Sequence, residues 1–312
     1  MKAKAIVKIV ICSVVALLLT AILCAALFAS ERIRNADFDW STGISSNISY
    51  RDADSYTVGS GKVRGELQDV EINWFSGSVT VKAYDGDEIC ITEPEITEES
   101  EQLRFRLENG KLTIQERKSG KINIGLGIHA NKSLEVLIPA EQAERLRSVE
   151  INSASAEILL EGLRINETEI DLASGNATLK DCNLQTFSID SASGDCIAEN
   201  TQIGDFSMDS ASGSAHLTGR IDKLEMDAAS GSLEAKLENA PREVEFNAAS
   251  GDCRLTIPKD AAFTAEMDSL SGELSVDGFA VNFRGTTYVC GSGDAEYVFN
   301  TASGDVLLCA AK

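Results

Sequence analysis

A nine-residue pattern, apolar-x-apolar-Asp/Asn-x-apolar-Ser-Gly-Asp/Ser, recurs along this chain of 312 residues and constrains its fold more than any other feature. Copies are centred on Gly77, Gly175, Gly194, Gly213, Gly231, Gly251, Gly272 and Gly304, with a degenerate copy in which Ala156 replaces the glycine. From Gly175 the successive steps are 19, 19, 18, 20 and 21 residues. A period near 20 marks a solenoid, in which each unit buries its apolar face only against its neighbours.

Within each unit the apolar positions alternate. Seven residues before the glycine stand Val70, Val149, Phe187, Phe206, Leu224 and Val244, and five before it stand Ile72, Ile151, Ile170, Ile189, Met208, Met226, Phe246 and Met267. Alternation resumes after the glycine, as in Val79 and Val81 or Cys253 and Leu255. Period two means strand, and Ser-Gly between two strands means a corner where a Cβ would strain the backbone. The fold predicted is all-β: a right-handed parallel β-helix (β-solenoid) of coils of about 20 residues stacked about 4.8 Å apart.

Stacking turns equivalent positions into columns. Four residues before the glycine, the column reads Asn73, Asn152, Asp171, Asp190, Asp209, Asp227, Asn247, Asp268 and Asn300. Carboxylates at this spacing repel unless hydrated, protonated or bridged by a hard cation such as calcium, so Asp171, Asp190, Asp209, Asp227 and Asp268 form a candidate ligand column. The competing reading is a solvated face, with Asx and Ser side chains bonding the backbone at each bend. The spacing also differs from the nonapeptide of calcium-binding β-rolls.

The net charge is −21, and it is unevenly placed: residues 149–312 hold 28 acidic and 10 basic residues. That balance argues against nucleic acid as a partner and suits cations or cationic peptides. At the N-terminus, Lys2, Lys4 and Lys8 precede an uncharged run from Ile9 to Ala29, followed by Glu31, Arg32 and Arg34. Its 21 residues would span about 32 Å as a helix, close to a bilayer's hydrocarbon thickness. The division expected is a cytoplasmic tail at 1–8, one transmembrane helix at 9–29, a juxtamembrane spacer at 30–66, an irregular β-region with the first coil at 67–148, and solenoid repeats at 149–312. The lysines place the tail inside and the solenoid outside the membrane.

In the irregular region, Leu103, Phe105 and Leu107, then Asn109-Gly110, then Leu112 and Ile114 spell a hairpin with a primed turn. The final unit, reached through Gly291-Ser292-Gly293-Asp294, is expected to close the C-terminal end. Of eight cysteines, Cys196 and Cys253 share one inward position three coils apart, too far for a bridge, and read as small core residues. Only two histidines, His129 and His216, are present, and neither completes a metal or nucleophile set. Carboxylates on one face can run polysaccharide cleavage on a β-helix. The connections from Gly175 to Gly272 are too short, however, to wall a substrate groove. No catalysis and no cofactor are expected.

The run Tyr50 to Glu93, with Val70-Glu71-Ile72-Asn73-Trp74-Phe75-Ser76-Gly77-Ser78-Val79-Thr80-Val81, resembles a bacterial family named "putative adhesin", of unknown function. Ala192-Ser193-Gly194-Asp195, Leu270-Ser271-Gly272-Glu273 and Thr301-Ala302-Ser303-Gly304-Asp305 are similar to its signature. The resemblance extends from about Tyr50 to the C-terminus. It implies a β-solenoid on the outer side of a cell membrane without established enzyme activity. The functional expectation is a single-pass, membrane-anchored, extracytoplasmic binding protein whose contact is an envelope protein or a surface ligand. Cation or cationic-peptide binding by the aspartate column is the first alternative, and a polysaccharide-active enzyme the second.

Overall fold

The structure, a computed structural model, describes residues 50, 52–119 and 132–311, together with the backbone of short strands at Phe38–Asp39, Gly43–Ile48 and Gly120–Ile124. The tail at 1–8 and the apolar run at 9–29 lie outside the described residues. Among the described residues no helix is long and apolar enough to cross a membrane.

The repeats fold as parallel rungs. Arg164–Ser174 and Ala177–Lys180 make one rung around the Gly175 corner, and each pairs in parallel register with its counterpart in the next, Ile170 with Ile189 and Ala177 with Cys196. The same register carries Ile189 to Met208, Met226 and Phe246. All of these side chains are buried, so every rung contributes a layer to one continuous core. Fully burying one such side chain stabilises by roughly 1.5–3 kcal/mol, which only stacking delivers, since an isolated rung has no second surface.

The corner glycines are required by the stack more than by the dihedral. A Cβ at Gly194 would lie 1.8 Å from the carbonyl oxygen of Gly175 on the preceding rung. Gly213 lies outside the left-handed region, yet a Cβ there would still meet Gly194 O at 2.0 Å. Ala156 turns the same corner without a left-handed φ and is itself buried.

The N-terminal region contains more of the solenoid than its irregular sequence suggests. Asp69–Tyr84 pairs with Leu146–Glu161 on one side and, on the other, with a split rung made of Lys111–Gln115 and Ser133–Pro139. Antiparallel strands Arg104–Glu108 and Ile89–Thr92 then cover that end. The expected hairpin is present, with Asn109 at φ 52° and Gly110 at φ 80°. The spacer reading needs correcting at its C-terminal part: Thr57–Val58 and Gly61–Val63 pair antiparallel with these capping strands. Such short runs carry too little alternation to be read from sequence.

The final unit does not close the stack. Ala295–Ser303 and Val306–Ala310 lie between Glu243–Ile257 and Phe263–Asp277, pairing in parallel with both. The end rung is therefore 263–277, and the chain doubles back to fill the slot it skipped. Size explains the order. Tyr297 and Phe299 are bulky and fully buried in the inserted rung, whereas Ala265 and Met267 hold the equivalent positions at the end. Tyr297 stacks on Phe263, with ring centroids 5.1 Å apart, and donates its hydroxyl to Pro241 O at 3.1 Å.

Candidate functional site

The column predicted four residues before each corner exists, in continuous register. Asn73 pairs with Asn152, then Asp171, Asp190, Asp209, Asp227 and Asn247 follow rung by rung. Asn300 comes next and Asp268 last. Four aspartates are thus contiguous. Asp268 is set apart from them by Asn247 and Asn300, a correction to the order read from sequence.

The strands alternate, so this column shares its outward face with a glutamate column two residues upstream that includes Glu71, Glu150, Glu169, Glu225 and Glu245. Asparagines bound the aspartate run and donate within the face. Asn152 Nδ2 donates to Glu150 at 2.9 Å, Asn247 Nδ2 donates to Asp227 at 2.7 Å and to Glu245 at 2.9 Å, and Asn300 Nδ2 donates to Asn247 Oδ1 at 2.8 Å. The asparagines therefore bond neighbouring side chains and not the backbone of the bend.

Partial burial pushes the Asp171 carboxyl up to about 6, helped by the charges of Asp190, Glu169 and Glu150. Burial likewise raises Asp209 to about 6, with Asp190, Asp227 and Glu225 adding to it. Asp190 is raised by burial, and Asp227 is raised by burial against the opposing hydrogen bond from Asn247. In all four the loss of water on burial is the leading cause, and at Asp171, Asp209 and Asp227 neighbouring carboxylates add to it. Among the described residues no group of three or more His, Cys, Asp or Glu is arranged to hold a metal ion.

The residue after the corner glycine has a role that the sequence reading left unassigned. Its side chain accepts the backbone N–H of the equivalent residue one rung on. Asn176 takes Asp195 N at 2.8 Å, Asp195 takes Ser214 N at 2.8 Å, Asp252 takes Asp305 N at 2.9 Å, and Asp305 takes Glu273 N at 3.0 Å. Ser214 and Ser232 continue the ladder at 3.3 Å. One residue further on, the backbone bonds directly across rungs, as in Cys196 N to Ser214 O at 2.9 Å. The predominance of Asp, Asn and Ser at that position was the available signal, because all three carry an acceptor on a short stem. Beside this ladder runs a shallow polar groove of about 640 Å³, lined by serines, glycines, Asn176 and Asp195.

A second cluster was not foreseen. Near the N-terminal cap, Lys132 is buried against Glu93 at 3.2 Å, sits 5.0 Å from the centroid of the Trp74 ring and donates to the carbonyls of Glu101 and Glu116. Desolvation lowers its pKa. Glu116 in turn pairs with Arg117 at 2.7 Å and accepts Phe75 N. These partners come from three separate stretches of chain, so no local motif announced them. Elsewhere, His216 is exposed 3.6 Å from Glu234, and His129 lies outside the described residues. Cys196 and Cys253 are buried free thiols, as expected of core residues.

Comparison with known proteins adds to this geometry. No curated protein matches the chain. Among solved structures, one named as a putative cell adhesion protein from Clostridium sporogenes ATCC 15579 is 10% identical, covering 82% of this chain and 100% of its own, with a TM-score of 0.28. A putative lipid binding protein from Parabacteroides distasonis ATCC 8503 is 11% identical over 81% of this chain and 96% of its own, with a TM-score of 0.42. A putative adhesin from Bacteroides fragilis NCTC 9343 is 11% identical over 81% and 97%, with a TM-score of 0.39. The profile of one family spans residues 67–308, from just before the Asp69–Tyr84 rung into the inserted coil, and on that match the chain belongs to the Toastrack DUF4097 family.

Proposed function

We propose that this protein is a membrane-anchored, extracytoplasmic, right-handed β-solenoid that acts by binding, as an adhesin-like or envelope-associated module without catalysis. One observation carries the reading: the Asp171–Asp227 run presents a carboxylate at each of four successive rungs along one outward face, flanked by glutamates on the Asp171 and Asp227 rungs. A periodic linear surface of this kind suits an extended or repetitive partner, because each additional rung engaged adds a contact of the same type. The apolar run at 9–29 and its flanking lysines support the anchor and the outward placement of the solenoid.

Proximity labelling on intact cells tests this, with the label fused after Lys312 and a control carrying Asp171→Asn, Asp190→Asn, Asp209→Asn and Asp227→Asn. Enrichment of one envelope protein, lost in the control, is the expected result. Enrichment no greater than that of bulk membrane proteins would refute a protein partner on this face. A cation is the second reading, favoured by the raised carboxyls of the column. Calorimetry of the full chain in non-ionic detergent with calcium, showing heat only of dilution, would remove it.

A further inference from the structure

The two ends of the solenoid are finished differently. At the N-terminal end, antiparallel strands cover the split rung along both of its halves. At the C-terminal end, the hairpin of Val281–Arg284 and Thr287–Cys290 pairs as a strand only with Phe263–Glu266 of the last rung, and beyond that its Tyr288 hydroxyl donates to Leu274 O at 3.4 Å. From Met267 onward that rung pairs with Ala295–Ala310 on one side and, among the described residues, with no strand on the other.

The open edge repeats the stack's own bonding pattern with one partner absent. On inner rungs the corner glycine donates its N–H to a serine carbonyl of the next rung, as Gly251 does to Ser303 at 3.1 Å and Gly304 to Ser271 at 3.2 Å. The residue two further on donates likewise, as Val306 does to Glu273 O at 3.0 Å. Gly272 and Leu274 are the last members of these two series, so among the described residues no further rung stands beyond to accept their N–H groups. Glu273 is the last member of the side-chain ladder, its own N–H donating to the Asp305 carboxylate at 3.0 Å. The core is open here as well. Leu274 and Val276 are only partly buried, although Val306 and Leu308 in the same columns are fully so, and Leu270 and Phe283 are exposed at 54% and 62%.

We propose that this edge is a strand-addition site for an extended segment of another protein in which apolar and basic residues alternate. Unpaired donors call for a β-strand, and the apolar columns call for an alternating one. Charge selects the basic class: between Ala261 and Ala311 the sequence carries seven acidic residues and one basic residue, Arg284. Glu273 and Asp277 are exposed along the open strand. A second copy of this chain would bring the same acidic end against itself. The proposal rests on the reading of the protein as a binding module and assigns it a contact distinct from the aspartate column.

The test is fluorescence anisotropy of the full chain in non-ionic detergent with a labelled synthetic peptide of alternating valine and lysine. A glycine-lysine peptide of equal charge serves as control. The variants are Leu274→Pro, which removes an outward N–H at an edge position where proline is tolerated, and Glu273→Lys. The expected result is binding of the valine-lysine peptide alone, weakened about tenfold or more by either variant. Thermal melts establish that the variants fold, and Glu273→Lys decides the matter if Leu274→Pro does not. No binding, or binding that both variants retain, overturns the proposal. Self-association that depends on Glu273 and Leu274, without peptide binding, overturns it in favour of a second copy. Failure here leaves the proximity-labelling outcome on the aspartate face untouched, so the two readings fail separately.

Discussion

The side-chain amide of Asn300 donates to Oδ1 of Asn247 at 2.8 Å across 53 residues of sequence. That contact reports the insertion of the last coil between two earlier ones. Its consequence is that the end rung 263–277 depends on a segment made after it.

Deleting residues 295–312 should therefore unfold more than the deleted rung. The end rung would lose its parallel partner, and Tyr297 and Phe299 would leave a slot bounded by Phe246 and Met267. Hydrogen exchange should show protection lost across 263–290 while 164–237 keeps it. The milder Phe299→Ala should cost about 3–5 kcal/mol by denaturant titration.

Gly194→Ala should be far more damaging than a surface change, because its Cβ would overlap the Gly175 carbonyl at 1.8 Å. A loss of roughly 3 kcal/mol or more is expected from forcing two rungs apart. Ala156→Gly, at the one corner that already tolerates a methyl group, should shift the midpoint of chemical unfolding by far less.

Asp195→Ala removes the acceptor of Ser214 N–H. The expected cost is about 1 kcal/mol, by analogy with a lost helix cap, and Asp195→Asn should recover most of it. Comparison of thermal midpoints decides the matter. Equal losses for Ala and Asn would mean that the carboxylate's charge, and not its acceptor, matters at this corner.

Acid should stabilise the fold over part of its range. Asp171 and Asp209 titrate near 6 in the folded chain, against an ordinary 3.8. A carboxyl whose pKa is raised by folding holds its proton more tightly when folded. Its contribution to stability is complete below about pH 4 and is lost as pH rises through about 6. The thermal midpoint should therefore increase from pH 7.5 to pH 5. The double variant Asp171→Asn with Asp209→Asn should flatten that dependence and raise the midpoint at pH 7.5.

Native-state thiol labelling should separate the cysteines by depth. Cys196 is fully buried with its thiol pushed up to about 12, and Cys253 is raised by the same desolvation. Peptide mapping after maleimide treatment should find both unmodified until the chain is denatured, and Cys309, which is half-buried, should react first.

The sequence alone determined the rung. Period-two alternation on both sides of a Ser-Gly corner admits a strand-turn-strand coil, and near-constant spacing stacks Asp171 to Asp227 into a column, because a parallel ladder leaves no other register that keeps the apolar positions inside. Tertiary structure decided the order of the rungs and the finish of the ends. Any rung with the same alternation can pair with any other, so local pattern could not place Ala295–Ala310 between two earlier coils. That choice came from burying Tyr297 and Phe299 against Phe263 and Phe246. The Lys132 cluster escaped sequence reading for a related reason: Glu93, Glu116 and Trp74 meet Lys132 only where three separate segments cross, and the low dielectric that makes their charges matter exists only once the chain has folded around them.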